Sequence, residues 1–246
     1  MQERYSALYL APHLDDVALS CGGQIAQRTR DGERVLVATV TAGDPSAENL
    51  PPFAQAHHEA WNLSAEMVVR NRRAEDARAA AILGAEYVHL PLLDAIYRVD
   101  SAGAALYESD ETLFGEVASV EDSLVDEIVA MLRKLPAADQ VVAPLTVGGH
   151  VDHRLTRLAA ERAFDSLLYY EDYPYAQRNG LEAGYISKFE ATTLLLSDEA
   201  IETKIAAIEA YESQVDHLFE DIDDMRGKVR DYVQQVGGER LWKKRK

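Results

Sequence analysis

His13, Asp15 and Asp16 crowd one turn in the run Pro12-His13-Leu14-Asp15-Asp16, and His150, Asp152 and His153 crowd another in His150-Val151-Asp152-His153. A histidine and two carboxylates in one turn are costly unless something uses them. The plain use is a cap, with Asp15 or Asp16 accepting hydrogen bonds at a helix N-terminus. The other use is a metal held by imidazoles and a carboxylate, with a second carboxylate free to take a proton. Catalytic zinc sites draw three ligands from protein and leave a position for water. His13, one aspartate and one histidine of the second run would supply three. The remaining aspartate could deprotonate a metal-activated water, and the remaining histidine could donate to an oxyanion or a leaving amine. Asp152 could hold that histidine in the right tautomer. This chemistry matches hydrolysis of an amide or ester. Spacing leaves open which aspartate and which histidine ligate.

The elements around the two runs would bring them together. Residues 5–10 read as a buried strand and 17–30 as a helix ended by Asp31-Gly32. Residues 34–41 are a second apolar, β-branched strand, and 42–63 a long polar loop containing His57 and His58. A helix is expected from about Ser64 to Leu83, a short strand over 87–90, a helix over 120–134 and a buried strand over 140–143. Further helices are expected over 154–164 and from Asp198, as its cap, to Tyr211; strands are expected over 166–170 and 192–196. Leu218, Ile222, Met225, Val229 and Val233 mark a last amphipathic helix. This alternation implies one α/β domain over 1–246, Rossmann-like, with a mostly parallel β-sheet and helices on both faces. Ligands bind beyond the carboxyl ends of such strands, where both runs stand, so the active site is expected there. The first turn lacks the G-x-G-x-x-G of a dinucleotide fold, so NAD and FAD are not expected.

Composition narrows the partners. A net charge of −17 excludes nucleic acid as an expected partner, and the basic run Lys243-Lys244-Arg245-Lys246 reads as a solvated tail. No apolar run is long enough to span a membrane, the N-terminal residues lack a signal-like layout, and the single cysteine, Cys21, suits a reducing compartment. A cytoplasmic location is expected.

The two runs resemble the PIG-L/LmbE-like family of zinc-dependent N-deacetylases, many of which act on N-acetylglucosamine conjugates. Thr41-Ala42-Gly43-Asp44 resembles that family's second turn. Arg72, Glu75, Ala79, Leu83 and Gly84 fit one helix motif; Lys204, Ala207, Tyr211, Ser213 and Gln214 fit another. The resemblance implies one Zn2+ per chain on His13, Asp16 and His153, with Asp15 as general base and His150, steadied by Asp152, as electrophilic partner. It implies removal of the N-acetyl, or another N-acyl, group from a sugar conjugate. A homo-oligomer is implied too, with the last apolar stripe as a candidate contact. Leu14 and Val17 depart from the best-known members and look closer to the branch that includes glycopeptide-antibiotic sugar deacetylases. Gly148 stands where some members carry a tyrosine that assists catalysis.

Substrate contacts are expected from Arg72, Asp94 and Tyr173. The competing uses are an i, i+3 pair of Arg72 with Glu75, an ordinary loop role for Asp94, and packing for the tyrosine-rich segment 169–175. His57 and His58 read as solvated, with a lid contact as the alternative; His89 and His217 read as structural, and Cys21 as a core residue. The competing functions on the same site are a metal-dependent phosphoesterase or other hydrolase, and a metal-binding module without chemistry.

Overall fold

A computed structural model of the protein describes residues 4–46, 48, 50–61 and 65–245. In chain order its elements are β1 (Arg4–Ala11), α1 (Asp16–Arg30), β2 (Val35–Thr39), α2 (Pro52–Ala60), α3 (Ala65–Leu83) and β3 (Glu86–His89). There follow α4 (Asp110–Leu113), α5 (Asp122–Leu132), β4 (Ala137–Pro144), α6 (Val151–Ala163) and β5 (Leu168–Tyr170). The chain closes with α7 (Tyr175–Asn179), α8 (Ala183–Ile186), β6 (Phe189–Leu194), α9 (Asp198–Glu209), α10 (Glu212–Leu218), α11 (Ile222–Val236) and β7 (Glu239–Lys244).

The seven strands form one sheet in the order β3-β2-β1-β4-β5-β7-β6. The first five are parallel; β7 runs antiparallel between β5 and β6, so β6 at the edge points the same way as the first five. Each central strand is buried on both sides, so its alternate residues feed two cores. Leu8, Leu10, Leu36 and Ala38 pack with Ile128, Leu132, Leu155 and Ala159 of α5 and α6. Ala7, Tyr9, Val35 and Val37 pack with Val17, Cys21, Ile25, Ala79, Leu83 and Ala207 of α1, α3 and α9. Strand β1 is the middle of the first five strands in that order. The chain leaves it toward β2 and β3 on one side and returns to it through β4 on the other. That reversal opens a crevice at the carboxyl ends of β1 and β4, the switch point of an α/β sheet.

Four local expectations change. The 42–63 loop contains α2, which Pro52 opens at its first position. The cap before Ala200 is Ser197, whose hydroxyl accepts the Ala200 N–H at 3.2 Å, rather than Asp198. The last stripe is divided between α10 and α11, and Met225 and Val229 cover this chain's own Leu19, Ile205 and Ile208. Lys243 and Lys244 belong to β7, paired with β6, rather than to a solvated tail. Burial of Leu241 and Trp242 is enough to hold that strand between its neighbours, while the lysine side chains remain exposed. The expected helix start at Ser64, residues 1–3 and Lys246 lie outside the described residues. Among the described residues no helix is long and apolar enough to cross a membrane.

Candidate active site

Strand β1 ends at Ala11, and the turn that follows carries His13, Asp15 and Asp16 into the start of α1. Thr41, just beyond β2, pins this turn: its backbone N–H and its hydroxyl both donate to the Pro12 carbonyl, at 2.9 and 2.7 Å. Asp15 sits at φ 135°, a conformation a side chain rarely adopts. Strain of this kind costs about 1–3 kcal/mol and persists where the surroundings fix it. Asp15 occupies the N-cap position of α1 but makes no capping hydrogen bond, so the plain reading of these aspartates does not hold.

The second run arrives from β4, and its residues open α6. His153 and Asp16 meet here: Asp16 Oδ2 lies 3.1 Å from His13 Nδ1 and 3.3 Å from His153 Nε2. The same oxygen accepts the His13 backbone N–H at 2.8 Å. His153 Nε2 is buried and lacks the alignment of a hydrogen bond to any partner among the described residues. Its other nitrogen, Nδ1, is 2.7 Å from Asp172 Oδ1. A buried imidazole with one nitrogen anchored on a carboxylate and the other facing Asp16 without a hydrogen bond is a metal ligand's arrangement. Two imidazoles and a carboxylate suit a borderline divalent ion such as zinc. Ring nitrogens of His13, His150 and His153 also approach within 4.8 Å of one another, as do groups of His13, Asp94 and Asp152.

His150 differs from the other two histidines. Its Nδ1 accepts the Asp152 backbone N–H at 3.2 Å, as the N-cap of α6. In the neutral ring the proton is then on Nε2. Burial and the neighbouring His13 hold its pKa well below the usual value, so it is a neutral donor. Asp152 therefore steadies His150 through its backbone, not through its carboxylate as expected. An N-cap two residues upstream receives the N–H, while the side chain of Asp152 points elsewhere. Its Oδ2 contacts His13 Nε2 at 3.0 Å and the Ala95 N–H at 2.9 Å, and its Oδ1 accepts from Arg98 Nη1 at 2.5 Å. Arg98 in turn pairs with buried Glu121. The carboxylate of Asp152 thus orients His13.

Electrostatics separates the two adjacent aspartates. Burial pushes the Asp15 carboxyl up to about 7, opposed by the Arg72 guanidinium and reinforced by Asp16. Burial acts on Asp16 in the same sense, but His153 and His13 outweigh it and hold its carboxyl well below the usual range. Asp15 is thus suited to exchange a proton near neutrality, and Asp16 to remain an anion.

The three expected substrate contacts fare differently. Arg72 turns from Glu75 toward the site: its Nη2 donates to the Leu14 carbonyl at 3.2 Å and lies 3.7 Å from Asp15 Oδ2. Glu75 instead accepts from the Ser213 backbone and hydroxyl, tying α3 to α10. Asp94 caps a short turn through the Ile96 N–H at 3.2 Å, with its other oxygen 3.8 Å from His13 Nε2. Tyr173 is buried against Phe219 and Tyr232, with a hydroxyl that has no partner among the described residues. All three line the crevice that also exposes His13, Asp15, Asp16 and His150.

Several wall residues escaped sequence reasoning. His57 and His217 line the crevice with Trp61, so neither is simply solvated or structural. His58 is buried and hydrogen-bonded to the Tyr97 hydroxyl at 2.8 Å, not solvated. His89 does bind a buried carboxylate, Asp76, at 2.8 Å. Gly148 adopts φ 92°, and a Cβ there would stand 2.8 Å from Tyr175 Cγ, so the Tyr175 ring fills the space a side chain at 148 would need. Asp172 was also missed. Its signal was its place just beyond β5, at the same edge as the other acidic turns.

The chain matches the PIG-L family, described as GlcNAc-PI de-N-acetylase, over residues 8–164. It is 36% identical over 187 residues to a 2'-N-acetylparomamine deacetylase of Streptomyces fradiae, covering 73% of this chain and 61% of that protein. A protein of the same description from Niallia circulans is 29% identical over 195 residues, covering 72% and 70% of the two chains. The structure resembles the zinc-inhibited form of teicoplanin deacetylase Orf2 with a TM-score of 0.81 and 30% identity, over 98% of this chain and 97% of the other. The matched family segment includes both turns and the strands that present them, and by it this chain belongs to the PIG-L family.

Proposed function

We propose that the protein is a zinc-dependent N-deacetylase that hydrolyses the N-acetyl, or a related N-acyl, amide of an amino-sugar conjugate. One zinc ion per chain would be held by His13, Asp16 and His153. The observation that carries this reading is the convergence of His13 Nδ1 and His153 Nε2 on Asp16 Oδ2, in the crevice that Asp15 and His150 also line. Zinc at such a site supplies Lewis acidity, polarising a carbonyl and making water easier to deprotonate.

The chain's own groups do the rest. Asp15, with its carboxyl raised to about 7, takes the proton of the attacking water. The nearby guanidinium of Arg72 limits that rise and keeps the carboxylate available. His150 donates from Nε2 to the developing oxyanion, and its Nδ1 contact keeps that proton on the correct nitrogen. Asp15, once protonated, returns the proton to the departing amine, so acid and base roles alternate on one group. Asp152 positions His13, and Asp172 positions His153. Arg72, Asp94 and the Tyr173 wall bind the sugar, with aromatic faces suited to its apolar side. The likeness to deacetylases of N-acetylated amino sugars and of a glycopeptide antibiotic supports this substrate class.

The test is release of acetate from N-acetylglucosamine conjugates by the zinc-loaded protein. Turnover by the wild type and its collapse in Asp15→Asn, with zinc retained, is expected. Acetate release at wild-type rate by that variant would remove Asp15 from its role.

A further inference from the structure

We infer that Arg98 is a positioning residue for the metal centre: its guanidinium fixes the Asp152 carboxylate, which in turn sets the His13 ring for zinc. This rests on the zinc-site reading above and adds to it a residue outside the crevice lining. Arg98 is buried, yet it ties four segments together. Its Nη1 donates to Asp152 Oδ1 at 2.5 Å and to the Leu93 carbonyl at 3.0 Å. Its Nε donates to Glu121 Oε1 at 2.5 Å, and its Nη2 to Glu121 Oε2 at 3.4 Å. That second oxygen also accepts the Tyr107 hydroxyl at 2.5 Å, and the guanidinium stands 5.4 Å from the centre of the Tyr107 ring.

Two features give this arrangement a task beyond packing. The first is charge. One carboxylate would balance a buried arginine, and Arg98 meets two, Asp152 and Glu121. The three groups therefore carry one excess negative charge on the Nε2 side of His13. Burying it is costly. A divalent cation on the other side of the ring offsets that cost. The second feature is the proton on His13. Asp152 Oδ2 accepts the Ala95 N–H at 2.9 Å and faces His13 Nε2 at 3.0 Å, while Oδ1 takes Arg98. A carboxylate shared among three donors acts as an acceptor for the Nε2 proton rather than as a metal ligand. The lone pair of His13 is then on Nδ1, which faces Asp16 at 3.1 Å. Arginine suits this place because its planar fork meets two carboxylates on two edges at fixed angles. Lysine, a single point charge, holds one.

Chelator competition for zinc tests the role without recourse to turnover. Arg98→Met is expected to lower zinc affinity by about tenfold, as for outer partners of histidine ligands, and Arg98→Lys by less. A double-mutant cycle with Asp152→Asn separates positioning from general loosening. With Asp152 already replaced, Arg98→Met is expected to cost little further affinity, because the group through which Arg98 acts is gone. Glu121→Gln leaves Arg98 on Asp152 but weakens its second anchor. It is the milder variant should Arg98→Met fail to fold, and a loss of about threefold is expected from it. Wild-type affinity in these variants, or an equal loss from Arg98→Met with and without Asp152, overturns the inference while leaving the zinc reading intact. A wild-type chain that binds no zinc overturns both.

Discussion

Asp172 Oδ1 lies 2.7 Å from His153 Nδ1, on the ring edge away from Asp16, and its second oxygen accepts the Val147 N–H at 2.8 Å. The carboxylate is thereby locked, and it locks the imidazole. Replacing it by asparagine keeps the shape and removes the charge that orients the ring. Zinc affinity of Asp172→Asn is expected to fall by roughly 10–100-fold, as for other outer carboxylates of histidine ligands. Competition with a chromophoric chelator measures this; unchanged affinity would separate Asp172 from the metal site.

Asp15 and Asp16 are neighbours in sequence whose carboxyl groups are shifted in opposite directions. Asp15→Asn is expected to lower turnover by roughly 10²–10⁴-fold, the usual worth of a general base, while leaving bound zinc near one per chain. Asp16→Asn is expected to lose the metal itself. Metal analysis beside acetate release distinguishes the two variants.

Gly148 is required by both backbone and space. At φ 92°, with Tyr175 Cγ 2.8 Å from where a methyl group would stand, alanine must shift the turn or the ring. Gly148→Ala is expected to cost about 1–3 kcal/mol of stability and to weaken substrate binding as Tyr175 moves. Thermal unfolding and KM would report the two effects. Gly32, also at positive φ but with open space around it, is the control position.

Lys204 and Glu239 form a buried ion pair at 2.7 Å, and Glu239 also accepts the Gly23 and Gln24 N–H groups of α1 at 3.0 and 2.9 Å. Glu239→Ala strands the lysine charge and removes the carboxylate that also holds the Gly23 and Gln24 N–H groups. Denaturant unfolding is expected to show a loss of about 3–5 kcal/mol. The double variant Lys204→Met with Glu239→Ala should recover part of it, because the buried charge is gone.

Cys21 is buried in the α1 face of the core, and burial raises its thiol pKa well above the usual value, with Glu239 adding to the rise. The native protein is expected to resist a thiol reagent at neutral pH and to expose one reactive thiol per chain on unfolding. Rapid labelling of the folded chain would contradict the packing of that helix.

Local pattern accounts for what could be read without coordinates. Apolar runs at 5–10, 34–41 and 140–143, the second rich in β-branched residues, declare buried parallel strands because such strands are covered on both faces. The chemical runs at 13–16 and 150–153 are legible because they pack several costly side chains into single turns at strand ends. Distance along the chain hides the rest. Asp172 reaches His153 from another strand, and Asp152 reaches His13 across the crevice while its backbone serves His150. No spacing rule encodes such partners, since they depend on how β1, β4 and β5 lie side by side. The same is true of β7, whose short run becomes a strand only once β5 and β6 flank it. Composition and periodicity determined the layers and the reactive groups; close packing of distant segments decided which nitrogen of each histidine a carboxylate holds.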